Sequence, residues 1–143
     1  MNTILRRPAM PKLLAALAVA ASAALAGCAA TSLTDSPEQT VMQLAQQRWS
    51  HLIDGRWADA YAMLTPAYRA LHPLREYQAG FKGAVGWKRA NVTAVTCEPE
   101  KCDVRMELVV TNPMARRADD TLSTNFSETW LKEDGRWYHY EKP

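Results

Sequence analysis

The hydrophobic pattern of this chain changes its period once, and that change limits the fold more than any other feature. Between Ser36 and Phe81 the apolar residues recur at spacings of three and four, which is typical of amphipathic helices. From Trp87 onward they alternate with polar residues at a spacing of two, which is typical of half-buried strands. Because the helices all precede the strands, the pattern predicts an α+β domain with an antiparallel sheet.

The helical half carries clear start and stop signals. Ser36 and Gln39 have the spacing of a capping box, with Pro37 in the first turn between them. Asp54-Gly55 is typical of a helix end, because glycine is favoured just after the last turn. Further helices are predicted over 56–64, 67–71 and 74–81, and the first helix is expected to bury Val41, Leu44, Ala45, Trp49, Leu52 and Ile53.

The strand half predicts two hairpins. Cys97 and Cys102 flank a four-residue turn between a strand-like segment, 92–96, and an alternating one, 102–110. In the second hairpin Asp134-Gly135 favours a type I′ turn, which predicts that Trp130 faces His139. The face expected to meet the helices then carries Phe126, Glu128, Trp130, Trp137 and His139, and the other face carries Thr129, Leu131, Tyr138 and Tyr140.

Cys97 and Cys102 are predicted to form a structural disulfide across the first hairpin. A redox pair would have two intervening residues and a helix start that lowers the thiol pKa, whereas this pair has four residues on a turn. Metal binding is a weaker alternative, because two thiolates without a nearby histidine cannot complete a zinc site. No metal and no cofactor are therefore expected.

The first 27 residues have the form of a lipoprotein signal peptide. Arg6, Arg7 and Lys12 precede an apolar run of 13 residues, 13–25. That run is shorter than the roughly 20 residues of a membrane-spanning helix. Residues 25–28, Leu-Ala-Gly-Cys, resemble a bacterial lipobox, which implies that Cys28 carries a diacylglycerol group. The alternative is an ordinary secretory signal cleaved after Ala26, which would leave Cys28 as a free thiol.

The lipobox implies a domain organisation and a location. Residues 1–27 are predicted to be the signal peptide, 28–36 the lipidated cysteine with a short tether, and 37–143 a single folded domain. In Gram-negative envelopes, Asp after the lipidated cysteine keeps a lipoprotein at the inner membrane. Ala29 therefore implies transport to the outer membrane, facing the periplasm. The expected partners are the membrane, through the lipid on Cys28, and an envelope protein.

The charge balance excludes a nucleic-acid partner. The chain has 17 basic and 15 acidic side chains, and three of the basic ones lie in the leader, which leaves 14 after cleavage. The predicted mature chain is therefore close to neutral and has no basic cluster longer than a pair, unlike the positive surface of a nucleic-acid-binding protein. The sequence leaves the oligomeric state open.

The order of elements resembles the nuclear-transport-factor-2-like superfamily. The resemblance covers most of 36–143 and rests on Asp-Gly-Arg-Trp-Ala-Asp-Ala-Tyr at 54–61, on the restarted helices after it, and on Trp-Leu-Lys-Glu-Asp-Gly-Arg-Trp-Tyr at 130–138. It implies N-terminal helices packed in the concave face of a curved antiparallel sheet, which together form a cone. The candidate pocket of that cone is lined by Trp57, Tyr61, Tyr77, Phe126, Glu128, Trp130, Trp137 and His139.

The resemblance does not decide the activity, because the superfamily includes both enzymes and binding proteins. Its enzymes place an Asp or His base near a Tyr or Asp donor, to which Glu128, His139, Asp59 and Tyr61 would correspond. Each of these residues also has an ordinary structural interpretation, and no catalytic motif accompanies them. The sequence favours a non-catalytic envelope lipoprotein that binds a protein partner or a small apolar ligand. The alternative is a small isomerase-like or hydrolase-like enzyme that uses an acidic/His pair in the cone.

Overall fold

A computed structural model of the protein describes residues 35–81, 84–114, 116–117 and 120–142. The predicted signal peptide and Cys28 lie outside these residues. Among the described residues, no helix is both long enough and apolar enough to cross a membrane. The elements are α1 (Pro37–Ile53), α2 (Trp57–Ala62), α3 (Pro66–Leu71), α4 (Leu74–Ala79), a 3-10 turn (Ala84–Gly86), β1 (Trp87–Glu98), β2 (Lys101–Thr111), β3 (Thr121–Glu133) and β4 (Arg136–Tyr140).

The fold is α+β, as the change of period predicts. The four strands form one antiparallel sheet in the order β1-β2-β3-β4, so each strand pairs with its neighbour in the sequence. Helix α1 packs against this sheet, mainly over β1. Register shifts occur in β1 at Trp87/Arg89 and Val92/Ala94, and bulges of this kind bend a strand and increase its twist.

Helix α1 begins at the predicted capping box. The backbone N–H of Gln39 donates to Ser36 Oγ at 3.2 Å, and the backbone N–H of Ser36 donates to Gln39 Oε1 at 3.3 Å. Two donors that the helix start leaves unpaired are thereby satisfied, and an N-cap of this kind is worth about 1 kcal/mol. The helix ends at Asp54, and Gly55 follows with φ of 71°, a left-handed conformation that favours glycine.

The second helix is shorter than its pattern predicts. The prediction of 56–64 was wrong at the C-terminal end, because α2 stops at Ala62. Beyond it, the backbone N–H of His139 donates to Met63 O at 2.8 Å, and the N–H of Thr65 donates to His139 O at 3.2 Å. The segment 63–65 therefore pairs with β4. This pairing uses backbone N–H and C=O groups that a longer α2 would have bonded within the helix.

The second hairpin has the register that Asp134-Gly135 predicts. Asp134 and Gly135 have φ of 50° and 78°, and positive φ at both central residues is the signature of a type I′ turn. Trp130 consequently pairs with His139 in the ladder. Trp130, Glu128 and His139 are all buried on the face that meets α1, so the predicted assignment of the two faces is confirmed.

The first hairpin is closed by the predicted disulfide between Cys97 and Cys102. The two residues are direct partners in the β1–β2 ladder, with Cα atoms 4.1 Å apart. Because the disulfide closes only a short loop, it restricts the unfolded chain little and stabilises the fold by only about 2 kcal/mol. Its main physical effect is to fix the register of β1 on β2, since a slip of one residue would turn the apolar side chains of β2 to the wrong face.

The core lies between α1 and the inner face of the sheet. Tyr138 is an exception to the simple alternation, because it lies on the outer face and is still buried, with the Arg136 guanidinium 5.5 Å from its ring centroid. The fully buried side chains come from both layers of the structure, namely Val41, Ala45, Leu52, Leu64, Val104, Met106 and Trp130.

Candidate functional site

A buried arginine on α1 is the origin of the candidate site. Arg48 follows Val41 by seven residues and Ala45 by three, and both of those residues are fully buried. Positions three, four and seven apart lie on one face of a helix. The helical period therefore places Arg48 on the face that packs against the sheet, where only 3% of it is exposed.

Glu128 on β3 neutralises the buried arginine. Arg48 Nη1 donates to Glu128 Oε1 at 2.7 Å, and the same oxygen accepts the Trp49 Nε1–H at 2.6 Å. Arg48 Nη2 also donates to Tyr77 Oη on α4 at 3.3 Å. One ion pair thus connects α1, α4 and β3 inside the protein. Removal of two charges from water is costly, and only close pairing with further hydrogen bonds compensates for it.

His139 lies beside this ion pair without bonding to it. Its Nε2 is 3.7 Å from Glu128 Oε1, and its Nδ1 is 3.7 Å from Glu141 Oε2. Both distances exceed the 2.7–3.2 Å typical of a hydrogen bond to nitrogen. The ring packs edge-on against Trp130, with centroids 5.7 Å apart. His139 is therefore held by packing and by its backbone bonds to Met63 and Thr65.

Burial shifts the pKa values of three side chains in the cluster, those of Glu128, His139 and Tyr77. It raises the pKa of Glu128, and the Arg48 charge and the Trp49 N–H bond oppose part of that rise. Burial and the nearby Arg48 charge together hold the pKa of His139 well below 6.5. Burial also raises the pKa of Tyr77, which keeps its hydroxyl protonated. At neutral pH His139 is therefore an uncharged imidazole beside an ion pair.

The shift at His139 predicts a pH dependence of stability. Because its folded pKa lies below the unfolded value near 6.5, the stabilisation is complete above that value and is lost as the pH falls toward the folded pKa. Below about pH 6.5 we expect the free energy of unfolding to decrease with a slope of up to about 1.4 kcal/mol per pH unit. The measurement is urea unfolding at a series of pH values.

The matched variants for this measurement are His139→Gln and His72→Gln. His139→Gln is expected to remove most of the slope, whereas His72→Gln, at a partly exposed position, should leave it intact. Glu128 contributes with the opposite sign because its pKa is raised, so only the difference between parent and variant isolates His139. An unchanged slope in His139→Gln would contradict the assignment.

A cleft of about 550 Å³ opens beside the ion pair. Glu128, His139 and Arg48 form part of its wall, and Glu141 and Lys142 follow β4 along its side. This volume is within the range of sites that bind small organic ligands. The remaining large side chains of the cleft are aromatic or aliphatic, and of these only Tyr140 carries a polar hydroxyl group. They are Trp49, Phe81, Trp87, Leu108, Phe126 and Tyr140.

The aromatic side chains of the cleft belong to a longer run of ring contacts. Trp49 packs against Trp87 and Phe126 with centroid distances of 5.1 Å in both cases. Phe81 is 5.8 Å from Trp87 and 4.8 Å from Tyr77, so α4 is connected to the same run. Contacts of this kind between rings add about 0.5–1.5 kcal/mol each to simple burial. The apolar wall is therefore fixed in place.

The predicted pocket residues divide into three groups in the structure. Phe126, Glu128 and His139 line the cleft. Trp130 and Tyr77 are buried in the core beneath it. The rest, Trp57, Tyr61 and Trp137, are partly buried and pack against the core without lining the cleft.

Tyr61 and Asp59, the two candidates for acid/base chemistry on α2, contact other parts of the structure and not the cleft. The Tyr61 hydroxyl donates to the carbonyl oxygen of His72 at 2.7 Å and contacts that of Arg69 at 3.1 Å. Asp59 is exposed and lies 3.9 Å from Arg56 Nη1. Neither residue lines the cleft. Both residues therefore have structural roles. The Tyr61 hydroxyl connects α2 to carbonyl groups at the end of α3.

Sequence reasoning missed Arg48, the residue that organises the site. The sequence did contain an indication of its role, because Arg48 is a basic residue on the predicted apolar face of α1, between Ala45 and Leu52. A buried arginine needs a buried acidic partner. Glu128 was already predicted on the inner face of the sheet, so the two patterns together could have suggested the pair.

Several buried polar atoms around the cleft have no hydrogen-bond partner among the described residues. They are Arg48 Nε, Glu128 Oε2, Trp130 Nε1 and His139 Nδ1. Such atoms are uncommon in proteins, since each costs about 1–3 kcal/mol of desolvation. Within the same residues, no three His, Cys, Asp or Glu side chains are arranged to hold a metal ion. Because these atoms are buried behind the surface of the cleft, a ligand in the cleft would reach them only if the wall moved.

Comparisons with known proteins concern the fold. No model of a protein family and no curated protein matches the chain. It is similar to the solution structure of a SEC-C motif containing protein from Rhodopseudomonas palustris, with 16% identity, a TM-score of 0.52, and coverage of 68% of this chain and 73% of that chain. A crystal structure of an NTF2-like transpeptidase from Campylobacter jejuni aligns at 17% identity and a TM-score of 0.45, with coverage of 70% of this chain and 96% of that chain.

At such low identity the first likeness shows a shared fold alone, and the second, with its lower TM-score, adds no argument. The helices followed by an open four-stranded antiparallel sheet are consistent with an NTF2-like fold. A fold of this kind does not determine what activity a protein has. The function therefore has to be argued from the site.

Proposed function

We propose that this protein is a lipid-anchored envelope protein with an NTF2-like domain, 37–143, that binds a small and mainly apolar ligand at the periplasmic side of the outer membrane. The observation that carries the ligand proposal is the cleft of about 550 Å³, whose wall includes the aromatic side chains of Trp49, Trp87 and Phe126. An apolar wall with a few converging polar groups is the usual composition of a small-molecule site. The ligand would place its apolar body against Trp49, Trp87 and Phe126 and its polar end near His139.

Binding without chemistry is supported by the way in which the ionisable groups are used. Glu128 Oε1 already accepts bonds from Arg48 and Trp49. Its distance of 3.7 Å to His139 exceeds the roughly 3 Å expected of an acid/base pair. In the enzyme alternative this pair transfers a proton, but Glu128 Oε1 is already held by two donors, so only Oε2 would be free to accept that proton.

A calorimetric titration tests the binding proposal. With p-cresol as the probe, a compound with an aromatic body and one hydroxyl group, we expect saturable binding to the full-length protein. Trp87→Ala should weaken it at least about tenfold, because loss of a buried aromatic contact is worth about 1.5–3 kcal/mol. The matched control is Trp137→Ala, which lies on the inner face of the sheet but outside the cleft. Equal losses in both variants, or no saturable binding, would contradict the proposal.

The anchor is a separate part of the proposal and rests on the lipobox. Cys28→Ala removes the only side chain that can take the diacylglycerol group in this motif. We expect the variant to lose lipid labelling and to shift from the membrane fraction to the soluble periplasm, or to remain unprocessed. The matched control is the double variant Cys97→Ala/Cys102→Ala, which should stay in the membrane fraction. If Cys28→Ala and the parent fractionate identically, the anchor is wrong.

A further inference from the structure

The charged groups of the cleft differ in how far a ligand can reach them. Arg48 and Glu128 neutralise each other at 2.7 Å, and their side chains are only 3% and 5% exposed. His139 is also buried and is uncharged at neutral pH. Glu141 and Lys142 complete the set, and the Glu141 side chain is 44% exposed while Lys142 is exposed. A ligand in the cleft therefore meets one accessible negative charge and one accessible positive charge.

The Glu141 carboxylate lies beside the buried wall of the cleft and can accept further hydrogen bonds. Its Oε2 is 3.7 Å from His139 Nδ1 and 4.0 Å from Arg48 Nη2. Both distances are longer than a hydrogen bond to nitrogen. An ionised carboxylate has room for about four hydrogen bonds, so a donor group of a ligand would be accepted here.

The two accessible charges favour a ligand that carries both signs. Glu141 and Lys142 are consecutive residues on one side of the cleft. A ligand with only a carboxylate would pair with Lys142 but would bring a like charge close to Glu141, and an amine would meet the reverse. A zwitterion can pair with both residues at once.

The register of the second hairpin shows which way the backbone groups of β3 point. His139 bonds through its N–H and C=O to the segment 63–65, on the side away from β3. The Trp130–His139 pair is therefore of the non-hydrogen-bonded type, and the backbone groups of Trp130 point to β2. Because this direction alternates along a strand, the N–H and C=O groups of Thr129 and Ser127 point to the β4 side.

Strand β4 ends before it reaches Ser127. The last pair of the ladder joins Thr129 to Tyr140, and Glu141 and Lys142 continue beyond the strand. Ser127 lines the cleft, so its backbone N–H and C=O groups face the space that β4 leaves open. One backbone donor and one backbone acceptor thus lie on the same side of the cleft as the two accessible charges.

We propose that the ligand of the cleft is an aromatic α-amino acid. This inference rests on the proposed function and names the class of its ligand. The ammonium group bonds to the Glu141 carboxylate and to Ser127 O, and the carboxylate group bonds to the Ser127 N–H and pairs with Lys142. The ring lies against Trp49 and Trp87, which form part of the apolar wall. A few oriented polar groups at one end of an apolar wall fix the orientation of such a ligand.

Calorimetric titration of the full-length protein with three compounds tests this ligand class. The compounds are L-phenylalanine, phenethylamine, which lacks the carboxylate, and 3-phenylpropionate, which lacks the ammonium group. We expect L-phenylalanine to bind at least about tenfold more tightly than either analogue, because each missing group removes a charge-assisted hydrogen bond. Equal affinity for the three compounds would overturn the proposal.

Two variants assign the charges to their residues. Glu141→Gln is expected to remove most of the preference over 3-phenylpropionate and to keep the preference over phenethylamine. Lys142→Gln should do the reverse. Glu76→Gln, at an exposed position of α4 outside the cleft, is the matched control and should keep both preferences. Unchanged preferences in Glu141→Gln and Lys142→Gln would also overturn the proposal.

The p-cresol titration separates this inference from the proposed function. If p-cresol binds and Trp87→Ala weakens it, but L-phenylalanine shows no preference over its analogues, the cleft binds apolar ligands and only the amino acid assignment is wrong. If p-cresol shows no saturable binding, the proposed function itself is contradicted.

Discussion

Arg48→Leu is expected to lower the free energy of unfolding by about 3–5 kcal/mol. The substitution fills the space with an apolar side chain but leaves Glu128, of which only 7% is exposed, without its cation. The Trp49 N–H would then be the one remaining donor to Glu128 Oε1. Most of the loss therefore comes from an uncompensated buried carboxylate, and urea unfolding of parent and variant measures it.

The double variant Arg48→Leu/Glu128→Leu separates this cause from simple loss of packing. Because it removes both charges, we expect it to be more stable than Arg48→Leu alone. The matched surface pair is Lys101 and Asp103, whose side chains are 2.9 Å apart and about half exposed. Lys101→Leu should change the stability far less than Arg48→Leu, because solvent screens an exposed ion pair. A loss at Arg48 as small as that at Lys101 would show that the buried pair does not stabilise the fold.

Trp130→Ala is expected to lower the free energy of unfolding by about 3–5 kcal/mol. Trp130 is completely buried in the C-terminal part of β3, opposite Cys102 on one side and His139 on the other. Its removal leaves a cavity that the disulfide-linked hairpin and the Arg48–Glu128 pair prevent from collapsing. The measurement is the shift of the urea midpoint at constant slope.

Trp137→Ala is the control for this second variant, because Trp137 lies on the same face of the sheet but is only partly buried, beside Lys132. We expect it to cost clearly less than Trp130→Ala. Trp130→Phe should recover much of the stability, since most of the buried ring volume is kept. If Trp137→Ala and Trp130→Ala were equally destabilising, the greater burial of Trp130 would not make it the more important core residue.

The buried ion pair also links stability to the proposed binding cleft. Arg48 and Glu128 hold α1 against β3 and form one wall of the cleft at the same time. A variant that breaks the pair would therefore change p-cresol binding through the shape of the wall as well as through folding. The comparison of Trp87→Ala with Trp137→Ala avoids this difficulty, because neither residue contributes to the pair.

Local patterns predicted the element types and the two hairpins. The capping box at Ser36 and Gln39, the type I′ turn at Asp134-Gly135, and the pairing of Trp130 with His139 all follow from neighbouring residues. These features depend on backbone preferences and on spacing within one element, so a sequence contains them in full. The disulfide belongs to the same class, since its two cysteines flank one tight turn.

The end of α2 and the composition of the cleft were not predictable in the same way. Met63 and Thr65 leave the helix because β4 offers backbone groups more than 70 residues later in the chain. Trp57 and Tyr61 were expected in the pocket from the resemblance to the nuclear-transport-factor-2-like superfamily, but they pack against neighbouring aromatics outside it. Spacing gives the face on which a residue lies and does not give the part of the neighbouring layer that this face meets.

The sequence by itself determined the order of helices and strands, the inner face of the sheet and the disulfide, and it predicts a lipid anchor at Cys28. Only the tertiary structure brought Arg48 to Glu128, 80 residues apart in the chain, and left the outer edge of β1 without a neighbouring strand among the described residues. The physical reason is that helix period and turn preference are local energies. A buried ion pair and an unpaired strand edge depend on how whole layers pack, and that packing is decided by contacts summed over the entire domain.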